Sequence, residues 1–333
     1  VLLVFFMLTV LLPGCSLKKN TASTRNYTAF ITRYNIYFNG DEHYKETMKS
    51  MERNYEDDYS QLLYLHPADA RKNPQSPQPS GDFTRSIEKA QKAIQLRSIK
   101  KKPAKKAGKA SDPAYKAWMK REEYNPFLHN AWMMMGRSQY NNGDFLGAAS
   151  TFYYISRHFG WLPGTVTEAK LWQARSYCAL GWGYEALGIL EKIPLDALID
   201  NHLKQLYNLT FATYYVQSTE PEKAIPYVAE AIKLTKGVQK SRLYFLLGQL
   251  YERSGKKTEA YDAFSHAGGS GTSYRTQLNA RIKQSEVYTG DNIAPEVKAL
   301  KRMTRYDRNK DYLDQIYYAI GNLYLSRRDT TNA

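Results

Sequence analysis

The sequence predicts an all-α protein made of repeated helical hairpins, and three observations support this prediction. Apolar and aromatic residues recur at steps of three and four residues over most of the chain, which is the period of an amphipathic helix. No stretch shows the two-residue alternation of a half-buried strand. Small residues also recur at matching places in successive segments from residue 114 onward, and such self-similarity is typical of repeat architectures.

The first residues predict export and a lipid anchor. Val1–Leu12 is apolar except for Thr9 and is too short to cross a bilayer, which takes about 20 residues. It is typical of the apolar region of a secretory signal. It leads into Gly14-Cys15-Ser16, which resembles the lipobox of bacterial lipoproteins. We therefore expect residues 1–14 to be a signal peptide, Cys15 to be lipidated and residues 15–26 to form a tether, with a buried N-terminal helix as the alternative.

Residues 27–65 predict an N-terminal helical hairpin. Aromatic and apolar side chains share one face of its first helix, Asn39-Gly40 is expected to make the turn, and a second helix is expected from Asp41. Glu56 to Asp58 are expected to form a solvated helix end.

Residues 66–113 predict an insert with one helix. Its first part is rich in proline, which a helix interior does not tolerate. An amphipathic helix follows over residues 83–99, and then a block of lysines over residues 100–109. We expect this basic insert to be a disordered, solvated linker. Contact with anionic lipid headgroups or with an acidic partner is the alternative.

Residues 114–333 predict an array of repeats similar to the tetratricopeptide repeat. In that repeat, small residues lie where two helices of a hairpin touch, and large residues fill the space beside the contact. Ser241 to Ala267 carries the pattern Tyr244, Leu247, Gly248, Tyr251, Ala260, Phe264 and Ala267. His129 to Ile155 carries Trp132, Met135, Gly136, Ala148 and Phe152. Looser copies surround these two, and the last stops in mid-hairpin at Ala333, so we expect the array to be truncated there.

No motif for catalysis is found in the sequence. The six histidines are too far apart for a helical metal pair, and neither a phosphate loop nor a Gly-x-Ser-x-Gly elbow occurs. Cys178 falls in a helical pattern and is expected to be buried. We therefore predict that the chain is not an enzyme and has no cofactor, metal or small-molecule substrate. The net charge of +15 favours an acidic partner, and export excludes nucleic acid from its partners.

The predicted binding surface is the concave face of the array. The residue after each small first-helix residue is expected to point toward it, and Arg137 and Arg175 there favour an acidic or carboxylate-bearing segment. The simpler alternative is a solvated surface. The full set of candidate residues is Asn130, Arg137, Tyr140, Asn141, Arg175, Thr213, Arg242, Gln249, Arg253 and Asn322.

Two longer runs carry a family resemblance. Phe30–Gly40 (FITRYNIYFNG) and Glu123–Trp132 (EYNPFLHNAW), the latter continuing through Gly143–Phe152 (GDFLGAASTF), resemble the SprE/PorW lipoproteins of the type IX secretion and gliding motility systems of Bacteroidota. The resemblance implies a non-enzymatic scaffold on the periplasmic side of the outer membrane. Its partners would be protein components of the secretion apparatus.

Two other functions of a binding or assembly protein stay open, besides an enzyme in a part of the protein beyond Ala333. One is a different outer-membrane repeat adaptor, similar to the BamD assembly lipoproteins. The other is a glycan-binding lipoprotein of the SusD kind, which would want an acidic export signal after the cysteine. Because Ser16–Asn20 is basic, that second function is disfavoured.

Overall fold

The computed structural model describes residues 19–269 and 272–333, so the predicted signal peptide and Cys15 lie outside the described residues. Within those two ranges the chain is all-helical and has no strand, and the helices pack in neighbouring pairs, as in a tetratricopeptide-like solenoid. The predicted fold class is thereby confirmed. The chain divides into two compact units, and each is described by itself.

Among the described residues, unit 1 comprises residues 19–50, 81–180 and 192–197. This described part contains α1 and a π-helical turn that runs into α2, then five further α-helices and a 3-10 turn. The bounds are α1 Ala22–Ile31, π-turn Thr32–Tyr37, α2 Phe38–Asn54 (in unit 1 up to Ser50), α3 Thr84–Arg97, α4 Pro113–Met119, α5 Leu128–Asn141, α6 Phe145–His158, α7 Pro163–Ala179 and 3-10 turn Leu195–Ala197.

Unit 2 comprises, among the described residues, 51–80, 181–191, 198–269 and 272–333. It contains the end of α2, three 3-10 turns and eight α-helices among its described residues. The bounds are 3-10 turn Pro67–Lys72, α8 Gly183–Leu190, α9 Asn201–Val216, 3-10 turn Pro221–Ala224, α10 Ile225–Leu234, α11 Gly237–Arg253, α12 Lys257–Ala267, α13 Tyr274–Glu286, α14 Ala294–Met303, 3-10 turn Asp307–Tyr312 and α15 Leu313–Ser326.

The turns of the two clearest repeats follow from local chemistry. Gly143 and Gly255 end their first helices with φ of 87° and 72°, a left-handed conformation that only glycine adopts without strain. Asp144 then caps α6, because its Oδ1 accepts a hydrogen bond from Gly147 N at 2.9 Å. The chain therefore reverses at the two positions that the repeat pattern predicts.

The predicted hairpin over residues 27–65 is wrong. Helix continues without a turn from Ala22 through Gly40 to Asn54. Gly40 serves close packing instead, because a Cβ built on it would lie 2.7 Å from Cε of Met134 and 2.9 Å from Cβ of Lys89. An Asn-Gly pair favours a turn only when no neighbouring helix needs the space, and here α5 and α3 fill it.

The insert over residues 66–113 is partly helical. Pro67–Lys72 forms a 3-10 turn that His66 and Asp69 cap reciprocally, and α3 is the predicted helix. The lysine block has no helix or strand and its lysines are exposed. Cys178 is buried in α7, as predicted.

Candidate functional site

The same contact closes the hairpin in both of the clearest repeats. A Cβ built on Gly248 would lie 2.6 Å from Cε1 of Phe264, and one built on Gly136 would lie 2.7 Å from Cε1 of Phe152. Both phenylalanine rings are fully buried. The small residue therefore sets the distance between the two helices, as the repeat pattern predicts.

In unit 2, the face of α11 that carries Arg242 and Gln249 is covered by the chain itself. Residues 55–65, here called the inserted segment, follow α2 and have no regular structure. Tyr59, Leu63 and Leu65 of this segment belong to the buried core around α11 and α12. The predicted partner surface of this repeat is thus already occupied by an irregular segment of the same protein.

An ion pair anchors the inserted segment. Arg242 Nε donates to Asp57 Oδ2 at 2.7 Å and Arg242 Nη2 donates to Asp57 Oδ1 at 2.6 Å, and the two side chains are only 3% and 4% exposed. Burial lowers the pKa of Arg242, but the Asp57 carboxylate outweighs it and the pKa is raised. The guanidinium is therefore charged, paired and shielded from water. The expectation of a solvated helix end is wrong for Asp57.

Gln249 and Arg242 also bind the backbone of the inserted segment. Gln249 Oε1 accepts from Leu63 N at 3.0 Å, and its Nε2 donates to Gln61 O at 2.6 Å. Arg242 Nη2 donates to Tyr64 O at 3.0 Å. Since these bonds go to main-chain groups, they do not depend on the side chains of Gln61, Leu63 and Tyr64.

Tyr59 fixes the middle of the inserted segment. Its hydroxyl bonds to Thr276 Oγ1 at 2.6 Å, and its ring packs edge-on against Phe245 with centroids 4.8 Å apart. Burial raises the pKa of Tyr59 to about 12, against the smaller lowering effect of the Thr276 hydrogen bond. The phenol is neutral at every physiological pH, so this contact does not switch with pH.

Arg253 lies at the edge of this region and is exposed. It lines a cleft of about 490 Å³ together with residues of the inserted segment, Lys72 and Thr213. Thr213 itself is buried and donates to Leu209 O at 2.8 Å. Of the unit 2 candidates on α9 and α11, Arg253 is the one whose side chain faces solvent.

In unit 1, the corresponding face of α5 meets helices. Arg137 lies 3.6 Å from Glu168 of α7 and packs on the ring of Tyr44. Asn141 Nδ2 donates to the Tyr44 hydroxyl at 3.1 Å. Burial lowers the pKa of Arg137, but nearby Glu168 and the tyrosines outweigh it and the pKa is raised.

Arg175 and Tyr140 form a buried pair in unit 1. Arg175 Nε donates to the Tyr140 hydroxyl at 3.2 Å, and the guanidinium lies over the rings of Tyr140 and Trp172. Both partners are almost fully buried. These residues support the packing of α5 on α7.

The two remaining candidates lie apart from these contacts. Asn130 bonds to Phe127 O at 3.1 Å within the first turn of α5, and Asn322 is half-buried on α15. The assignment of the ten candidate residues to partner binding stays a prediction. Most of them make contacts within their own unit.

Residues 55–65 and a second cluster in unit 1 are sites that the sequence did not predict. In unit 1, Glu123 Oε1 accepts from the backbone nitrogens of Ile99, Tyr124 and Asn125, and its Oε2 accepts from Ser98. An acidic residue in a loop carries no sign of such a role, because two of its partners, Ser98 and Ile99, lie 25 and 24 positions away along the chain. The acidic run at Glu56–Asp58 beside a basic array was the one available signal for the inserted segment.

The described residues show little that suggests catalysis. His66 bonds to Glu52 and His158 pairs with Glu122. No group of three or more His, Cys, Asp or Glu side chains in the described ranges is arranged to hold a metal ion. None of the described helices is both long and apolar enough to cross a membrane.

Comparison with known proteins identifies the repeat. The family profile of the tetratricopeptide repeat matches residues 241–267, which is the α11–α12 hairpin with its Gly248–Phe264 contact. No curated protein matches the chain. The chain thus contains a tetratricopeptide repeat, a motif that binds proteins and is not itself catalytic.

Proposed function

We propose that this protein is a non-enzymatic scaffold lipoprotein of the type IX secretion and gliding motility apparatus. Lipid on Cys15 anchors it in the outer membrane, where it faces the periplasm and joins protein components of the apparatus. The tetratricopeptide repeat supports the coarser part of this proposal, a protein-interaction scaffold. The resemblance of Phe30–Gly40 and Glu123–Phe152 to the SprE/PorW lipoproteins supports the finer part.

The observation that carries the finer part is that these two runs pack on each other in unit 1. Asn125 Nδ2 donates to Thr32 Oγ1 at 3.1 Å, and the Tyr37 and Phe127 rings meet edge-on at 5.0 Å. Ile36 shares a buried cluster with Leu128 and Ala131. Runs that are far apart in sequence therefore form one module, which is a reason for them to occur together in a family.

The contacts in unit 2 indicate the chemistry of a partner. The face with Arg242 and Gln249 binds an aspartate and main-chain groups of the inserted segment, which are groups that a peptide segment of a partner also offers. A partner at this face must displace the inserted segment, while Arg253 and the cleft beside it are open without displacement. We expect the partner to present carboxylates.

The experiment is a deletion of the gene in a gliding member of the Bacteroidota, complemented with tagged variants. Loss of the protein should abolish both export of secreted cargo and surface gliding. Cys15→Ala should move the protein from the membrane to the soluble periplasmic fraction. Co-purification of the lipidated protein should recover components of the apparatus.

Charge reversal on an exposed residue then tests the partner surface. Arg253→Glu should weaken partner recovery without loss of helicity. The matched control is Arg157→Glu, since Arg157 is an exposed residue of α6. Arg175 is unsuitable, because a buried glutamate there would destabilise unit 1. Normal export and gliding in the deletion strain contradict the proposal. Recovery of outer-membrane assembly proteins instead would favour the BamD-like adaptor.

A further inference from the structure

The N-terminal helix carries its aromatic residues on the outside. Tyr27, Phe30, Tyr34 and Phe38, here called the aromatic stripe, are 51%, 60%, 49% and 51% exposed. They lie at steps of three and four residues and therefore share one face of α1, the π-turn and the start of α2. The rings of Phe30 and Tyr34 touch, with centroids 4.8 Å apart. About half of each stripe residue is therefore open to solvent.

The opposite face of the same helix is buried and carries small or polar residues. Thr24, Thr28, Thr32 and Gly40 lie on it together with Ile36. Thr32 Oγ1 donates to Thr28 O at 2.6 Å and accepts from Asn125. A helix that only served the core would place its rings inward and its threonines outward. This reversal indicates that the aromatic face meets an apolar surface outside the unit.

Charge identifies the kind of surface. Residues 16–40 contain no Asp or Glu and four cations, Lys18, Lys19, Arg25 and Arg33. Arg33 is exposed on α1's continuation, beside the Tyr34 ring at 5.2 Å. Aromatic rings with flanking Lys and Arg are typical of helices that lie in the headgroup region of anionic lipid.

Chain length brings this helix to a membrane. Six residues separate Cys15 from the start of α1 at Ala22, and six residues reach at most roughly 20 Å. We propose that the aromatic stripe is a lipid-docking surface that lays α1 along the headgroups of an anionic bilayer. The proposal rests on the proposed lipid anchor at Cys15, which keeps the stripe near the bilayer. The stripe is a second membrane contact beside that lipid anchor.

The test uses protein without the lipid anchor on Cys15, so that membrane binding depends on the stripe and its flanking cations. The protein from residue 15 to 333 with Cys15→Ser is mixed with vesicles of phosphatidylcholine and phosphatidylglycerol in equal parts, and bound protein is measured by flotation. All described residues are retained. Changing the four stripe residues to Gln should lower partitioning about tenfold or more, because their apolar area no longer enters the interface.

The matched control changes four other exposed apolar residues to Gln: Leu146, Tyr153, Tyr184 and Leu195. It removes similar apolar surface and should leave partitioning unchanged. Lys18→Gln with Lys19→Gln should weaken binding to these vesicles roughly fivefold per cation. The same pair should have little effect with phosphatidylcholine alone.

A fluorescence measurement at one labelled residue tests the same surface if the fourfold variant folds poorly. A fluorophore sensitive to polarity is attached at Phe30→Cys, or at Leu146→Cys as control, while Cys178 is buried and unreactive. Vesicles should shift the emission to the blue at residue 30 and not at residue 146.

Equal flotation of the parent and the stripe variant would overturn the proposal. The proposal would also be overturned if the stripe substitutions changed only self-association of the protein, or only its recovery of a protein partner. These results leave the lipid anchor untouched, which is tested separately by Cys15→Ala.

Discussion

The two clearest repeats of this protein share one hairpin and differ in what covers its first helix. In unit 1, α5 is covered by helices: α3 packs along it, and Tyr44 of α2 meets Arg137 and Asn141. In unit 2, the equivalent face of α11 is covered by the irregular inserted segment, which pairs Asp57 with Arg242. The Gly–Phe contact inside the two hairpins is nearly the same.

This difference teaches that the repeat pattern specifies the hairpin and leaves its outer face to other parts of the chain. Helices satisfy their own backbone groups, so in unit 1 side chains make the contacts to the face of α5. A segment without regular structure has main-chain groups that no helix pairs, and in unit 2 the side chains of Gln249 and Arg242 bind such groups. The buried Asp57–Arg242 ion pair and the hydrogen bonds of Gln249 follow from this difference in the segment that covers the repeat.

The largest effect is expected for the ion pair of unit 2. Asp57→Ala leaves Arg242 charged and buried without its carboxylate, which costs about 3–5 kcal/mol of unfolding free energy. Glu168→Ala in unit 1 should cost less, because Arg137 Nη1 and Glu168 Oε1 are 3.6 Å apart and their side chains are 24% and 18% exposed, so that water reaches this pair more than the unit 2 pair. Urea unfolding, with hydrogen exchange of α5 and α11 to separate the units, measures both. Similar losses for the two variants would show that the unit 2 pair is no better shielded from water than the unit 1 pair.

Overpacking of the hairpin should have the next largest effect and should be alike in the two units. Gly248→Leu and Gly136→Leu force the buried Phe264 and Phe152 rings to move, at about 1–3 kcal/mol or more each. Gly188→Leu on α8 is the control, since nothing lies within 4 Å of a Cβ there. Thermal unfolding gives the comparison, and a tolerant Gly248 would remove the basis of the repeat assignment.

The amide contacts should separate the units on a smaller scale. Gln249→Ala leaves Leu63 N and Gln61 O without their bonds in a buried place and should cost about 1–2 kcal/mol. Asn141→Ala in unit 1 should cost less, because its Oδ1 is already buried without a partner among the described residues. Denaturant midpoints of the two variants test this order. The reverse order would mean that the inserted segment is held by its apolar residues alone.

The smallest effect is a pH dependence in unit 1. Burial lowers the pKa of His129 below its ordinary 6.5, despite opposing contributions from Pro126 and Glu168. As pH falls below 6.5, His129 therefore takes up a proton more readily in the unfolded chain than in the folded chain. The free energy of unfolding decreases as pH falls from 6.5 through the pKa of His129 in the folded chain. His129→Gln should flatten the stability profile between pH 7 and pH 5. An unchanged slope would assign the dependence to other groups.

The sequence by itself determined the helices, the hairpins and their turns. Small residues that face large ones and glycines that end helices act through neighbours close along the chain, so Gly136, Gly248, Gly143 and Gly255 have the predicted roles. Their pattern also sufficed to identify the repeat at residues 241–267.

Only the tertiary structure decided what each side chain meets. Gly40 is a packing residue and not a turn, because α3 and α5 approach it from far along the chain. Asp57 is a buried anchor and not a solvated residue, because Arg242 lies 185 positions away. Such pairings depend on which segments the folded chain brings together, and no local period or propensity records them.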